Sequence, residues 1–205
     1  MERRSAADLV RDAFVRRTAP GRGLAEDAEA VARACHDMAR RFHRGGRLLV
    51  FGEGSAAADA QHVAVEFVHP VLVGRRALPA VSLAGDAATL TAIAGSQGLD
   101  AVFSAQLRLL ASPADIALGL SADGRCASVL RGLETAAELG ALTVALVGGD
   151  GGDIARGGVV EHCLIARSAD PCVVKEIHVT TYHLLWELVH VFFDQSGLLE
   201  PEAVQ

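Results

Sequence analysis

The chain has 205 residues, of which 51% are hydrophobic and 4% aromatic, with 21 glycines and a formal net charge of −6. That length buries a real core as one domain, and small residues at this density suit close-packed helices and tight strand-to-helix turns better than a β-sandwich. The acidic balance excludes a sequence-independent nucleic-acid binder, which needs a basic face, and no uncharged apolar run reaches the roughly 18 residues of a membrane span. Four widely spaced cysteines, Cys35, Cys126, Cys163 and Cys172, form no CxxC pair and argue against a zinc ribbon or a disulfide framework. The opening stretch MERRSAADLVRDAF lacks the apolar core of a signal peptide, so the expected compartment is the cytoplasm.

In chain order, residues 5–17 and 24–44 have apolar positions at helical spacing, and the segment APGRG between them predicts a break. The basic run Arg40, Arg41, His43, Arg44, Arg47 suits the C-terminal end of the second helix. RLLVFG (47–52) reads as a strand ending in glycine, followed by an alanine-rich helix. PAVSLA (79–84) precedes a helix over 86–94, and 101–111 is another. DIALGLS (115–121) is a strand, 127–140 an amphipathic helix, LTVALVG (142–148) and VVEHCLIA (159–166) further strands, and 171–196 a long final helix. Short strands, apolar throughout and alternating with helices, predict a parallel sheet covered on both faces. In such sheets ligands bind beyond the carboxyl ends of the strands, which places GEGSAAADA (52–60) and SADGRCAS (121–128) at the expected binding edge.

Within DAQHVAVEF (59–67), His62 and Glu66 are four residues apart, so their side chains share one helix face. The pair is either a single intrahelical hydrogen bond on a solvated face or half of a metal or acid/base site. The glycine turn with Ser55 is a place for an anion at a helix N-terminus. In the second turn Ser121, Ser128 and backbone N–H groups suit a phosphate, whereas Asp123 competes with one for the positive helix end. In the final helix Lys175 and His183 are eight residues apart and share a face. His178 points about 140° away from His183 and reads as a core or interface histidine. His36, His43, His69, His162 and His190 have no partner at a telling spacing.

The succession LLVFGEGSAAADAQHVAVEF, RALPAVSL, LTAIAG, VFSAQL, LGLSADG, ALTVALVGGDGG and KEIHVTTYHLLWELV resembles, over nearly the whole chain, the phosphoheptose isomerases of the SIS (sugar isomerase) fold. The resemblance implies a three-layer α-β-α fold with a parallel five-stranded sheet. One domain would span 1–205, with an N-terminal helical hairpin over 1–45, a sheet core over 46–168 and a C-terminal helix over 169–196. It implies a sugar-phosphate ligand, sedoheptulose 7-phosphate or a relative, isomerised between ketose and aldose through an enediol. The base and acid of that reaction correspond to Glu66 and His183, and a zinc site to His62, Glu66 and His183. A homotetramer is also expected, because the family's active sites are built between subunits and the helix VTTYHLLWELVHVFF (179–193) is apolar on most sides.

The departures from the family pattern concentrate on the phosphate. The family's glutamine ligand is Lys175, whose ammonium has no lone pair for a metal. The usual Ser-Thr-Ser-Gly-Asn-Ser turn reads Ser121, Ala122, Asp123, Gly124, Arg125, Cys126, and the usual Gly-Asn-Gly-Gly-Ser reads Gly52, Glu53, Gly54, Ser55, Ala56. Gly95 and Ser96 stand for the customary Asn-Asp, and Pro70 for an arginine. A carboxylate within a few ångströms of a phosphate costs on the order of 1–4 kcal/mol, and a lost hydroxyl about 1 kcal/mol more, which Arg125 offsets in part. Two readings follow. One is an isomerase with Ser55, Ser121, Asp123, Arg125, Ser128 and Lys175 around the substrate. The other is a catalytically inactive SIS protein that binds a ligand, a metal or a protein partner.

Overall fold

The computed structural model describes residues 4–195 together with Gly197 and Leu199. Five strands, β1 (Leu48–Gly52), β2 (Ala80–Ser82), β3 (Ile116–Ser121), β4 (Leu142–Gly148) and β5 (His162–Ala166), form one parallel sheet in the order β2-β1-β3-β4-β5. Every position of β1, β3 and β4 is buried, which is why these strands read as unbroken apolar runs rather than alternating ones.

Alternation along each strand sends side chains to two separate cores. Leu48, Val50, Leu118, Leu120, Val144 and Leu146 pack with α2 (Ala28–His43), α3 (Ser55–Val68) and the final helix, α8 (Pro171–Asp194). Leu49, Phe51, Ala117, Ala145 and Val147 pack with α5 (Val102–Leu110), α6 (Ala127–Glu138) and the short α7 (Gly152–Arg156). A further helix, α4 (Ala87–Gln97), lies ahead of α5, and the 3-10 turn Leu99–Ala101 joins the two. The arrangement is the expected three-layer fold.

Boundaries differ where a side chain replaces a backbone partner. The strand expected over 159–166 begins only at His162, because Thr143 Oγ1 donates to Val159 O (3.1 Å) and accepts from Glu161 N (3.0 Å). The break expected at APGRG does not occur: α1 (Ala6–Glu26) runs through Pro20, and the chain turns at Asp27 instead. An interior proline removes one hydrogen bond and costs about 3 kcal/mol. Contacts on both sides of it oppose that cost. Arg17 grips Glu176 of α8 with Nε–Oε2 at 2.6 Å and Nη2–Oε1 at 2.8 Å, and Leu24 packs against the core. The expected end of the last helix at 196 lies outside the described residues.

The start of β3 is held by Asp115, whose carboxylate is 3% exposed and accepts from Arg47 N (2.8 Å), Ser112 N (2.9 Å) and Ser112 Oγ (3.0 Å). Burial alone would raise its pKa; the Arg47 and Ser112 hydrogen bonds outweigh it and hold the carboxyl below its ordinary value. Asp115→Ala is therefore expected to destabilise the fold by roughly 3–5 kcal/mol, since it strands these buried donors. A depressed folded pKa means the contribution is present above the unfolded value of about 4 and is lost as pH falls through the folded value. Urea unfolding of both proteins from neutral pH downward checks this, with the two curves expected to converge in acid.

Candidate active site and metal centre

The chain leaves β1 for β2 on one side and returns to β3 on the other, so the strand order reverses between β1 and β3. Ligands of open α/β sheets bind beyond the carboxyl ends at that point. Two turns meet this edge, residues 52–55 and 121–128. Gly54 has φ +57°, a backbone state that glycine adopts without strain, and it lets α3 start directly beyond the strand.

His62 and Glu66 lie one turn apart on α3, with Nε2 and Oε1 3.1 Å apart. His62 Nδ1 is 2.7 Å from the Tyr182 hydroxyl on α8. The next residue on α8, His183, sets its ring edge-on to His62, with centroids 5.4 Å apart. One ligand atom from each of His62, Glu66 and His183 lies within 4.8 Å of the others. Burial, with the Asp59 and Glu66 carboxylates nearby, pushes the Tyr182 phenol up to about 12, so it stays protonated near neutrality. The Glu66 oxygen only accepts, so Nε2–H of His62 donates to it and the Tyr182 hydroxyl donates to Nδ1; a metal on Nε2 would take the place of that proton, with Nδ1–H then donating to the Tyr182 oxygen. Two imidazoles and a carboxylate with an open position suit a catalytic-type zinc, and the residues fit the ion.

Lys175 adds no ligand. Its ammonium donates to both Asp59 oxygens (2.7 and 2.8 Å) and to Ser55 O (3.2 Å). Asp59 is 7% exposed and sits one turn before His62. The sequence reading overlooked it, although positions 59, 62 and 66 follow the i, i+3, i+7 spacing of one helix face. His178 is 4% exposed, as a core histidine should be, but only half satisfied. Its ring bonds the Val147 backbone, while Nε2 has no partner among the described residues. Burial lowers its pKa and keeps it neutral. Leaving such an acceptor unpaired costs roughly 1–3 kcal/mol. His162 and His190 are ordinary structural histidines, bonded to Asp37 and to two backbone carbonyls.

In the second turn the protein's own groups take up donors that an anion would use. Asp123 Oδ1 accepts from Arg125 N at 2.9 Å, and Ser121 Oγ accepts from Gly124 N at 3.0 Å. Arg125 places Nη2 2.9 Å from both oxygens of Asp150. The Cys126 thiol donates to the Glu53 carboxylate across from the first turn, and Ser128, buried, lies beside Cys126 Sγ at 3.4 Å. Burial and the Glu53 carboxylate raise the Cys126 thiol, so it remains a thiol. Gly124 has φ +70°, and a Cβ there would lie 1.9 Å from Gly151 O, which locks the turn against the start of α7. The Glu53–Cys126 contact joins positions 73 apart in the sequence, and no local pattern signals it.

The doubly covered parallel sheet places the chain among the doubly wound α/β proteins, and residues 19–148 match the SIS domain family. The chain is 38% identical over 199 residues to the phosphoheptose isomerase of Solidesulfovibrio magneticus, covering 97% of this chain and 95% of that one. The phosphoheptose isomerase GmhA of Neisseria gonorrhoeae superposes with a TM-score of 0.82 at 29% identity, covering 90% of this chain and 98% of that one. That of Francisella tularensis gives 0.84 at 27% identity, covering 91% and 99%. The chain belongs to the phosphoheptose isomerase family of SIS-domain proteins.

Proposed function

We propose that this protein isomerises a ketose phosphate of the sedoheptulose 7-phosphate class to its aldose, with Glu66 as base and His183 as acid. The observation that carries this reading is the convergence of Glu66, His62 and His183 between α3 and α8. Glu66 takes a proton from C1 while His183 gives one to the C2 oxygen, which yields the enediol. The C1 hydroxyl then returns its proton to His183 as Glu66 delivers the first proton to C2, so both groups end as they began. His62, held by Tyr182, orients the Glu66 carboxylate. A zinc ion held by His62, Glu66 and His183 would polarise the substrate's oxygens. Conversion of sedoheptulose 7-phosphate by the purified protein tests the reading, and no turnover across neutral pH would defeat it.

A second reading, a binding protein without turnover, draws on one feature: Asp123 and Glu53 already engage the turn's donors. Measurable binding without conversion would favour it.

We also propose that the chain assembles as a homotetramer. α1 buries none of its residues and exposes Leu9, Val10, Phe14 and Val15. Beside it an apolar groove of about 320 Å³ runs between Leu24, Ala28 and Val31 on one side and Leu184 and Leu188 on the other. Apolar surface of this kind favours association. Light scattering is expected to give four times the 21.4 kDa subunit mass. A stable monomer at micromolar concentration would refute it.

A further inference from the structure

Tyr182 stands beside the His62, Glu66 and His183 cluster without belonging to its ligand set. Its ring is 1% exposed and packs in the core shared by α2, α3 and α8. A phenylalanine would fill that space equally well, and the added hydroxyl is a buried polar atom that costs stability unless it is bonded. It meets His62 Nδ1 at 2.7 Å. The ring also lies edge-on to both imidazoles, with centroids 5.4 Å from His62 and 4.9 Å from His183. Consecutive residues on a helix point about 100° apart, so Tyr182 turns into the core while His183 stays exposed beside it. One side chain thus seats both histidines.

The group facing Nδ1 has to meet two opposite demands. With Nε2–H given to Glu66, Nδ1 is a bare lone pair and needs a donor. With an ion on Nε2, the proton sits on Nδ1 and needs an acceptor. A backbone carbonyl serves only the second state, and a backbone N–H only the first. A hydroxyl serves both by rotating about its C–O bond. We propose that Tyr182 is a positioning residue for the metal centre: its hydroxyl turns from donor to acceptor as a divalent cation takes His62 Nε2, and this exchange sets how tightly the cluster holds the ion. The assignment rests on the metal reading above and adds to it a residue that is not itself a ligand.

Tyr182→Phe is the test, because it removes the hydroxyl and keeps the ring. Zinc affinity is measured by competition with a chromophoric chelator, starting from the metal-free unmodified protein and the metal-free variant. The variant is expected to bind zinc roughly 10- to 100-fold more weakly, the usual effect of losing the hydrogen-bond partner of a metal-bound histidine. Thermal unfolding of the two metal-free proteins gives the control for packing. One hydrogen bond in a chain of 205 residues moves the midpoint by only about 2–4 °C. An unchanged zinc affinity, whatever the midpoint does, makes Tyr182 a packing residue and overturns the proposal. Should the variant fail to fold, ¹⁵N spectra of the histidines in the unmodified protein decide, recorded in mildly alkaline buffer. The His62 proton is expected on Nε2 without zinc and on Nδ1 with it; a proton already on Nδ1 before zinc is added overturns the exchange. Failure of the parent reading looks different: an unmodified protein that binds no zinc defeats the metal centre, and the proposal with it. A failed isomerase assay alters none of these readouts.

Discussion

Glu66→Gln is expected to lower kcat for sedoheptulose 7-phosphate by roughly 100- to 10,000-fold, the usual worth of a positioned general base. The amide is nearly isosteric with the carboxylate, so the packing of α3 against the sheet should survive. It cannot take the C1 proton. Glu66 also faces His62 Nε2 at 3.1 Å and belongs to the three-residue cluster proposed to hold a metal, so the variant should be read beside His62→Ala. That second change is expected to abolish stoichiometric zinc in the purified protein, because it leaves only two of three ligands. Metal analysis beside turnover separates the roles: Glu66→Gln should lose turnover whatever its metal content, whereas His62→Ala should lose the metal first. Turnover by Glu66→Gln within about threefold of the unmodified protein would end its assignment as base.

The second large effect is expected at the phosphate turn. Replacing Ala122 with Thr and Asp123 with Ser should tighten binding of sedoheptulose 7-phosphate by roughly 30- to 1000-fold, corresponding to about 2–4 kcal/mol. The structure supplies the reason in detail. Asp123 places a carboxylate oxygen 2.9 Å from the Arg125 N–H, a donor that an incoming phosphate would otherwise meet. Serine removes the charge and frees that donor, and threonine adds a hydroxyl. Part of the obstacle would remain, because Glu53 stays bonded to the Cys126 thiol and Arg125 stays paired with Asp150. Adding Glu53→Asn should extend the gain. Calorimetric titration of the three proteins measures it; unchanged affinity in the double variant would show that Asp123 does not oppose the phosphate.

Much of this molecule was legible without its structure, because the relevant physics is local. Unbroken apolar runs such as LTVALVG identify strands buried on both faces, and the glycines closing LLVFG and LTVALVG mark where those strands end. The four-residue spacing of His62 and Glu66 guarantees a shared helix face wherever that helix packs. The same reasoning misplaced the break at Pro20, since a local breaker signal carries no information about Arg17 reaching Glu176 on α8. It also overlooked Asp59, the residue 116 positions away that holds Lys175. Tyr182 on His62, 120 positions apart, and Glu53 on Cys126 were equally out of reach. The sequence by itself determined the layered α/β fold and the residues able to do acid–base or metal chemistry, because periodicity and side-chain chemistry are properties of short segments. Only the tertiary structure decided which charges are already paired, which donors of the phosphate turn are taken, and that His178 is buried with one ring nitrogen unpartnered among the described residues. Those depend on how α3, α6 and α8 meet over the sheet, a matter of long-range packing that no local spacing encodes.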